Sequence, residues 1–237
     1  MLGKLIKYDF KAIAKNMVPI FAAMLIMSIT FALMIRMDVN QENFFFILFI
    51  MLYMATTVAC VVGTLVCVVK RFDTGLLRNE GYLSFALPID TATHIAAKVI
   101  DSLIWSFLQG LVLIVSFVLM GLILGSVEDI KEFFMGVLSL FELENVDVLI
   151  AGLKGILIMV LHLIAAICVV YAAIAVAHLF EGHRRTLMAL FLVVFATINS
   201  YLMSFNMRFF WYIQPIISAA VFAALTWYIL DRKLNLE

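Results

Sequence analysis

Residues 155–180 read GILIMVLHLIAAICVVYAAIAVAHLF, a stretch without one Asp, Glu, Lys or Arg. A helix that crosses the hydrocarbon core of a bilayer needs about 20 predominantly apolar residues, so this stretch alone is long enough. Its apolar residues are continuous rather than alternating, which favours a buried helix over a barrel strand. Outward along the chain the same reading recurs at Asn16–Ile35, Asn43–Val69, Ser102–Val127, Thr186–Met207 and Phe209–Leu230. The last two are separated by Arg208 alone. One helix through both would far exceed what a span needs, so a tight hairpin is expected at Ser204–Trp211. The run Phe133–Phe141 is too short to cross. The expected fold is an all-α integral membrane protein with six transmembrane helices: 16–35, 43–69, 102–127, 155–180, 186–207 and 209–230.

Composition supports the same class. Of 237 residues, 66% are hydrophobic and 14% charged, whereas a soluble domain is near half apolar and about a quarter charged. A soluble core of this size could not hide so much apolar surface, and intrinsic disorder is excluded with it. The 16 basic residues balance the 16 acidic ones, so no bulk charge points to nucleic acid. Three cysteines inside apolar runs make no disulfide framework; Cys60 and Cys67, seven apart on one helix face, read as packing residues. The first apolar run is about twice a signal peptide's and no Ala-x-Ala site follows it, so it is expected to stay as an anchor.

Orientation follows from Lys and Arg. With six spans both termini share a side, and that side holds 12 of them: Lys4, Lys7, Lys11, Lys15, Lys70, Arg71, Arg78, Lys98, Arg184, Arg185, Arg232 and Lys233. The other side holds 4: Arg36, Lys131, Lys154 and Arg208. Both termini, with the tail 231–237, are therefore expected in the cytoplasm. The acids Asp38, Glu42, Glu128, Asp129, Glu132, Glu142, Glu144 and Asp147 crowd the outer side, as a solvated face or as an attraction for a cationic cargo.

Three segments are not spans. In residues 1–15, Leu2, Ile6, Phe10 and Ile13 form an apolar stripe, and Lys4, Lys7, Lys11 and Lys15 a basic one. The pattern predicts an amphipathic helix in the inner interface, its lysines near anionic lipid headgroups, as an anchor alone or also as a brace for a partner. The inner loop 70–98 is far longer than a helix hairpin needs. Its middle reads Glu80-Gly81-Tyr82-Leu83-Ser84-Phe85-Ala86-Leu87-Pro88. Pro88 stops a short helix at Leu87, and Asp90 or Thr91 can cap the helix that follows. Tyr82, Leu83, Phe85 and Leu87 would be wet in a free loop, so they either form a contact surface or tuck back onto the spans. The outer segment 128–154 is acidic but carries Phe133, Phe134, Leu138, Leu140 and Phe141, which fits a short re-entrant or interfacial helix.

The pattern R-F-x-x-x-L-x-x-x-E-G-Y-L-x-F-x-L-P-x-x-x-x-x-x-x-x-K, from Arg71 to Lys98, resembles the inner loop of bacterial ABC-2 type transporter permeases, closest to the small permeases of Gram-positive gut bacteria. The basic interfacial helix and six spans with both termini inside extend the resemblance along the chain. It implies a permease subunit in the bacterial cytoplasmic membrane that docks on a cytosolic ATPase through a coupling helix at Glu80–Leu87. The ATPase-coupling residues would be Glu80, Gly81, Tyr82, Leu83, Phe85, Leu87 and Pro88. ATP and Mg would sit on the partner ATPase, with no cofactor in this chain. One six-span chain is half of such a pathway, so a second permease, identical or similar, is expected. In that family a re-entrant exit-gate hairpin often lies between spans five and six; here the long outer segment follows span three, and the family's assignment does not transfer.

No chemistry of its own is legible in the chain. There is no G-x-x-x-x-G-K-[S/T] loop, no H-E-x-x-H helix and no G-x-S-x-G elbow. His162 and His178, sixteen apart, stand about 24 Å apart along a helix and cannot share a metal. His178 reads as interfacial. His162 lies deeper, as a packing histidine or as a substrate or proton site. The polar positions that could line a pathway are Thr57, Gln109, His162 and Asn199, with Thr56, Thr64, Ser200 and Gln214 as further buried polar groups. No uncharged stretch contains an ionisable carboxylate or amine, so a proton pump or ion channel lacks its usual groups. The expectation is a non-enzymatic subunit of an ABC exporter for an amphipathic or hydrophobic cargo: a peptide, lantibiotic, lipid or drug. The alternative is a membrane scaffold or sensor that binds a cytosolic partner and transports nothing.

Overall fold

The computed structural model describes residues 2–37, 43–77, 81, 90–125, 128, 131–132, 135–136, 148–180, 182–203 and 208–232. Among these the regular structure is entirely helical, in the order α1 Leu2–Arg36, α2 Phe44–Phe72, a π-helical turn Asp73–Leu77, α3 Thr91–Leu124, α4 Val148–His178, α5 Arg184–Met203 and α6 Arg208–Arg232. Among the described residues, five stretches are long and apolar enough to cross a membrane: Gly3–Arg36, Phe44–Leu77, Thr91–Leu124, Gly152–His178 and Trp211–Arg232. The chain is consistent with a multi-pass membrane protein. The sequence reading counts six spans. Its fifth, 186–207, falls on α5, a helix of 20 residues that opens on Arg184 and Arg185 and is not among the five. α5 and α6 are separate helices, and residues 204–207 of the expected hairpin lie outside the described residues.

The helices run beyond the uncharged stretches that announce them. α1 has 35 residues, about 52 Å at 1.5 Å per residue, and passes without a break from residue 2 of the expected interfacial helix through the expected span 16–35. Lysine and alanine are good helix formers and nothing between Lys4 and Val18 breaks a helix; Pro19 alone stands inside it. α3 starts at Thr91 because Asp90 is at the N-cap position. Its carbonyl accepts the N–H groups of Thr93 and His94 at 2.9 and 3.2 Å. α3 ends at Gly125, whose φ of 77° is the left-handed value that closes helices.

The chain forms two compact units: Met1–Asp9 with Val68–Leu103 and Ile156–Glu237, and Phe10–Cys67 with Ile104–Gly155. The first is centred on Phe72 and Tyr171, stacked with ring centroids 4.0 Å apart, among Leu76, Leu77, Ile95, Ile167, Ile174 and Leu230. Ala172, Ala173 and Ala175 of α4 are fully buried there. Helices in lipid gain little from hydrophobic transfer and associate through close packing, which small side chains permit.

In the second unit, Ile13, Met17, Phe21 and Met24 recur at helical spacing on α1 and pack with Cys60 and Trp105. Trp105 stacks on Phe10 at 4.7 Å, and Phe31 on Tyr53 at 5.6 Å. A side chain at Gly63 would meet Ile20 and Met17 at 3.3 and 3.4 Å. Arg36 donates to the Ile123 carbonyl at 3.1 Å.

Candidate functional site

On α1 the residues Ile6, Asp9 and Ile13 follow one another at three and four positions, so Asp9 sits on the apolar stripe and not among the lysines. It is 4% exposed. Its Oδ1 accepts a hydrogen bond from Arg71 Nε at 2.6 Å and its Oδ2 one from Lys98 Nζ at 2.6 Å. The Lys98 and Asp9 side chains are 9% and 5% exposed. Both bonds join ionised groups, the strongest class of protein hydrogen bond. One carboxylate therefore holds the C-terminal end of α2 and the first turns of α3 to the N-terminal helix.

Two local features make this geometry possible. The first is the π-helical turn after Phe72, which presents Gly75 to Lys98. A Cβ at Gly75 would stand 2.9 Å from Lys98 Nζ, so only a glycine leaves the ammonium its place. The second is the hold on the Lys98 backbone. Its carbonyl lies 2.8 Å from Ser102 Oγ and 3.1 Å from the Tyr171 hydroxyl, and the two hydroxyls also touch each other, so with one proton apiece they make two of these three bonds at a time. One turn on from Lys98, Asp101 is 1% exposed, and its Oδ1 has no hydrogen-bond partner among the described residues.

Further contacts fasten the same region. His178 Nδ1 lies 3.0 Å from the Ile174 carbonyl, and its Nε2 lies 3.1 Å from Asp73 Oδ1, an ion pair when the ring carries both protons. The His178 side chain is 9% exposed. Thr91 Oγ1 donates to Asp231 Oδ1 at 3.2 Å. A pocket of about 90 Å³ opens among Tyr8, Asp9, Arg71, Gly75, His94 and Lys98. Among the described residues no three His, Cys, Asp or Glu converge on a metal position.

Of the expected coupling residues, Glu80, Tyr82, Leu83, Phe85, Leu87 and Pro88 lie outside the described residues. Gly81 is buried, and a Cβ there would stand 2.5 Å from the Leu76 carbonyl oxygen. Its close approach is thus to the chain's own π-helical turn. Of the expected pathway residues, Thr57 bonds its own helix at the Tyr53 carbonyl, 2.9 Å, and shares a unit with Gln109. His162 and Asn199 belong to the other unit. His162 Nδ1 lies 3.0 Å from the Ile158 carbonyl and its ring 6.2 Å from Trp211. Its buried Nε2 has no hydrogen-bond partner among the described residues.

Sequence reasoning misses Asp9, Asp73, Asp101 and Tyr171. The signal for Asp9 is one acid on the apolar stripe of a helix whose other charges are lysines. The signal for α3 is the spacing His94, Lys98, Asp101, Ser102, which puts four polar groups on one helix face. Cutting each span at its first charge removes both from view. No protein-family model, no curated protein and no solved structure matches this chain.

Proposed function

We propose that the chain is the permease subunit of an ABC-2 type exporter in a bacterial cytoplasmic membrane, crossing it six times with both termini in the cytoplasm. It works with a second permease, identical or similar, and takes its energy from ATP hydrolysed on a cytosolic partner. The cargo is amphipathic or hydrophobic: a peptide, lantibiotic, lipid or drug. The observation that carries the reading is the grip of Asp9 on Arg71 and Lys98, the first and last residues of the Arg71–Lys98 pattern. That pattern would deliver a mechanical push from an ATPase through Glu80–Leu87. A push on a loop moves its helices only if the loop's stems are firm, and buried charge-assisted bonds to the N-terminal helix supply that firmness.

The experiment is Leu83→Asp with Phe85→Asp, which puts charge into the proposed dry contact. The double variant should insert at normal levels and lose its ATPase on purification. Retention of both the ATPase and ATP-driven cargo movement in vesicles would overturn the coupling role. Orientation is tested separately: a cysteine at Asn145 should react with an impermeant thiol reagent from outside, and one at Asn79 should not.

A further inference from the structure

We infer that His162 on α4 and Trp211 and Gln214 on α6 form a binding site for the primary ammonium group of an amphipathic molecule. The inference needs the membrane location and not the transport reading. Two polar atoms here are buried without a hydrogen-bond partner among the described residues, His162 Nε2 and Gln214 Oε1. Both are acceptors. His162 Nδ1 lies 3.0 Å from the Ile158 carbonyl oxygen. That oxygen can only accept, so Nδ1 carries the hydrogen of the neutral ring and Nε2 is left as a lone pair. The His162 ring lies 6.2 Å from the Trp211 ring, and Gln214, three positions on, shares that face of α6. A third acceptor comes from the backbone. Pro215 stands inside α6 and has no N–H, so the Trp211 carbonyl lacks the helical bond that residue 215 would otherwise give it.

Three acceptor atoms on adjoining faces of two helices select the chemistry of the ligand. A primary ammonium has three N–H donors and no acceptor, so it matches them one for one. A hydroxyl donates only once, and a phosphate or carboxylate would set lone pairs against lone pairs. The face of the Trp211 ring adds attraction for a cation. The level suits an amphipathic molecule. Trp211 and Tyr212 are 44% and 43% exposed and open the stretch Trp211–Arg232, and aromatic side chains at the end of a span meet the headgroup region. An amine at that height reaches the site while its chain stays in lipid. The ammonium belongs either to a lipid headgroup or to a free amphipathic amine; the chemistry is shared.

The test uses the full chain in detergent micelles and reads Tm by circular dichroism. A ligand bound only by the folded state raises Tm with saturation. Octylamine, octyltrimethylammonium and octanol are titrated in turn, then phosphatidylethanolamine and phosphatidylcholine of the same chain length. Trimethylation keeps the charge and removes the N–H donors. A primary amine should therefore act at a concentration at least about tenfold lower than its trimethyl counterpart or octanol. His162→Leu and Gln214→Leu each remove one acceptor and should each weaken the response to that amine by about tenfold. Gln214→Leu should do so without lowering the ligand-free Tm, because the atom it removes has no bond to lose. Pro215→Ala returns a helical partner to the Trp211 carbonyl and should also weaken the response. If one variant fails to fold, the others decide. A response to phosphatidylethanolamine alone assigns the ammonium to a lipid headgroup, and a response to octylamine alone assigns it to a free amine; both uphold the site. Equal responses to a primary amine and its trimethyl counterpart overturn the role of the N–H donors, and an equal response to octanol overturns the role of charge. An undiminished response in His162→Leu and Gln214→Leu overturns the site, as does the lack of a response to either primary amine.

Discussion

In the unit built from residues 1–9, 68–103 and 156–237, a carboxylate, two cations and the hydroxyls of Tyr171 and Ser102 tie the start of α1 to the end of α2 and the start of α3. In the unit built from residues 10–67 and 104–155, one buried cluster is Ile13, Met17, Phe21, Met24, Cys60 and Trp105, and the buried Ser28 and Thr64 bond carbonyls of their own helices. Both are helical, and both draw on α1. The first is specified by bonds that have a direction and a partner; the second is filled by shapes that tolerate exchange. In an apolar surrounding a broken polar bond has no water to replace it. The polar unit should therefore answer single substitutions sharply and the apolar unit mildly.

Asp9→Asn should break this contrast open most widely. It leaves Arg71 and Lys98 side by side without their shared carboxylate, and the expected loss is about 3–5 kcal/mol of unfolding free energy. Reversible denaturation in mixed micelles measures it. Lys98→Met added to Asp9→Asn should recover part of the loss, because an apolar replacement removes the stranded charge. A double variant whose loss equals the sum of the singles would show that the pair is not coupled.

Gly75→Ala should come next, at about 1–3 kcal/mol. The new methyl would sit 2.9 Å from Lys98 Nζ and push the ammonium off Asp9. The same alanine placed at Gly152, where a Cβ meets nothing within 4 Å, is the control and should be silent. Tyr171→Phe removes the donor to the Lys98 carbonyl while Ser102 still bonds it, for an expected loss of about 1–2 kcal/mol. A loss matching that of Asp9→Asn would move the centre of the unit from the ion pair to the hydroxyls.

The smallest effect is expected in the other unit. Met17, 1% exposed, can be replaced by leucine for less than about 1.5 kcal/mol, below the Tyr171→Phe value in the same assay. A larger loss would mean that its sulfur, 3.6 Å from Thr64 Oγ1, matters more than its volume, and the contrast between the units would narrow.

The long apolar stretches are enough to announce the helices. α2 follows 43–69 closely. What such stretches do not reveal is length. Charge ends a span but does not end a helix, since lysine and aspartate at an interface keep their backbone hydrogen bonds. α1, α3 and α4 accordingly begin well before their uncharged stretches. The site is less legible. Arg71 and Lys98 stand out as the ends of a loop pattern, while Asp9 is hidden in a segment whose periodicity is dominated by lysines.

The sequence by itself determined the solvent and the secondary structure. A chain 66% hydrophobic, with uncharged stretches of membrane length, has no soluble way to bury them, and in lipid the helix alone satisfies its own backbone. Those are local facts, settled within one segment at a time. Only the tertiary structure decided that Asp9 shares its buried pair of oxygens with Arg71 and Lys98, 62 and 89 residues away along the chain. Such a pairing depends on which helix faces which, and at what height, and spacing within a helix carries no information about its neighbour.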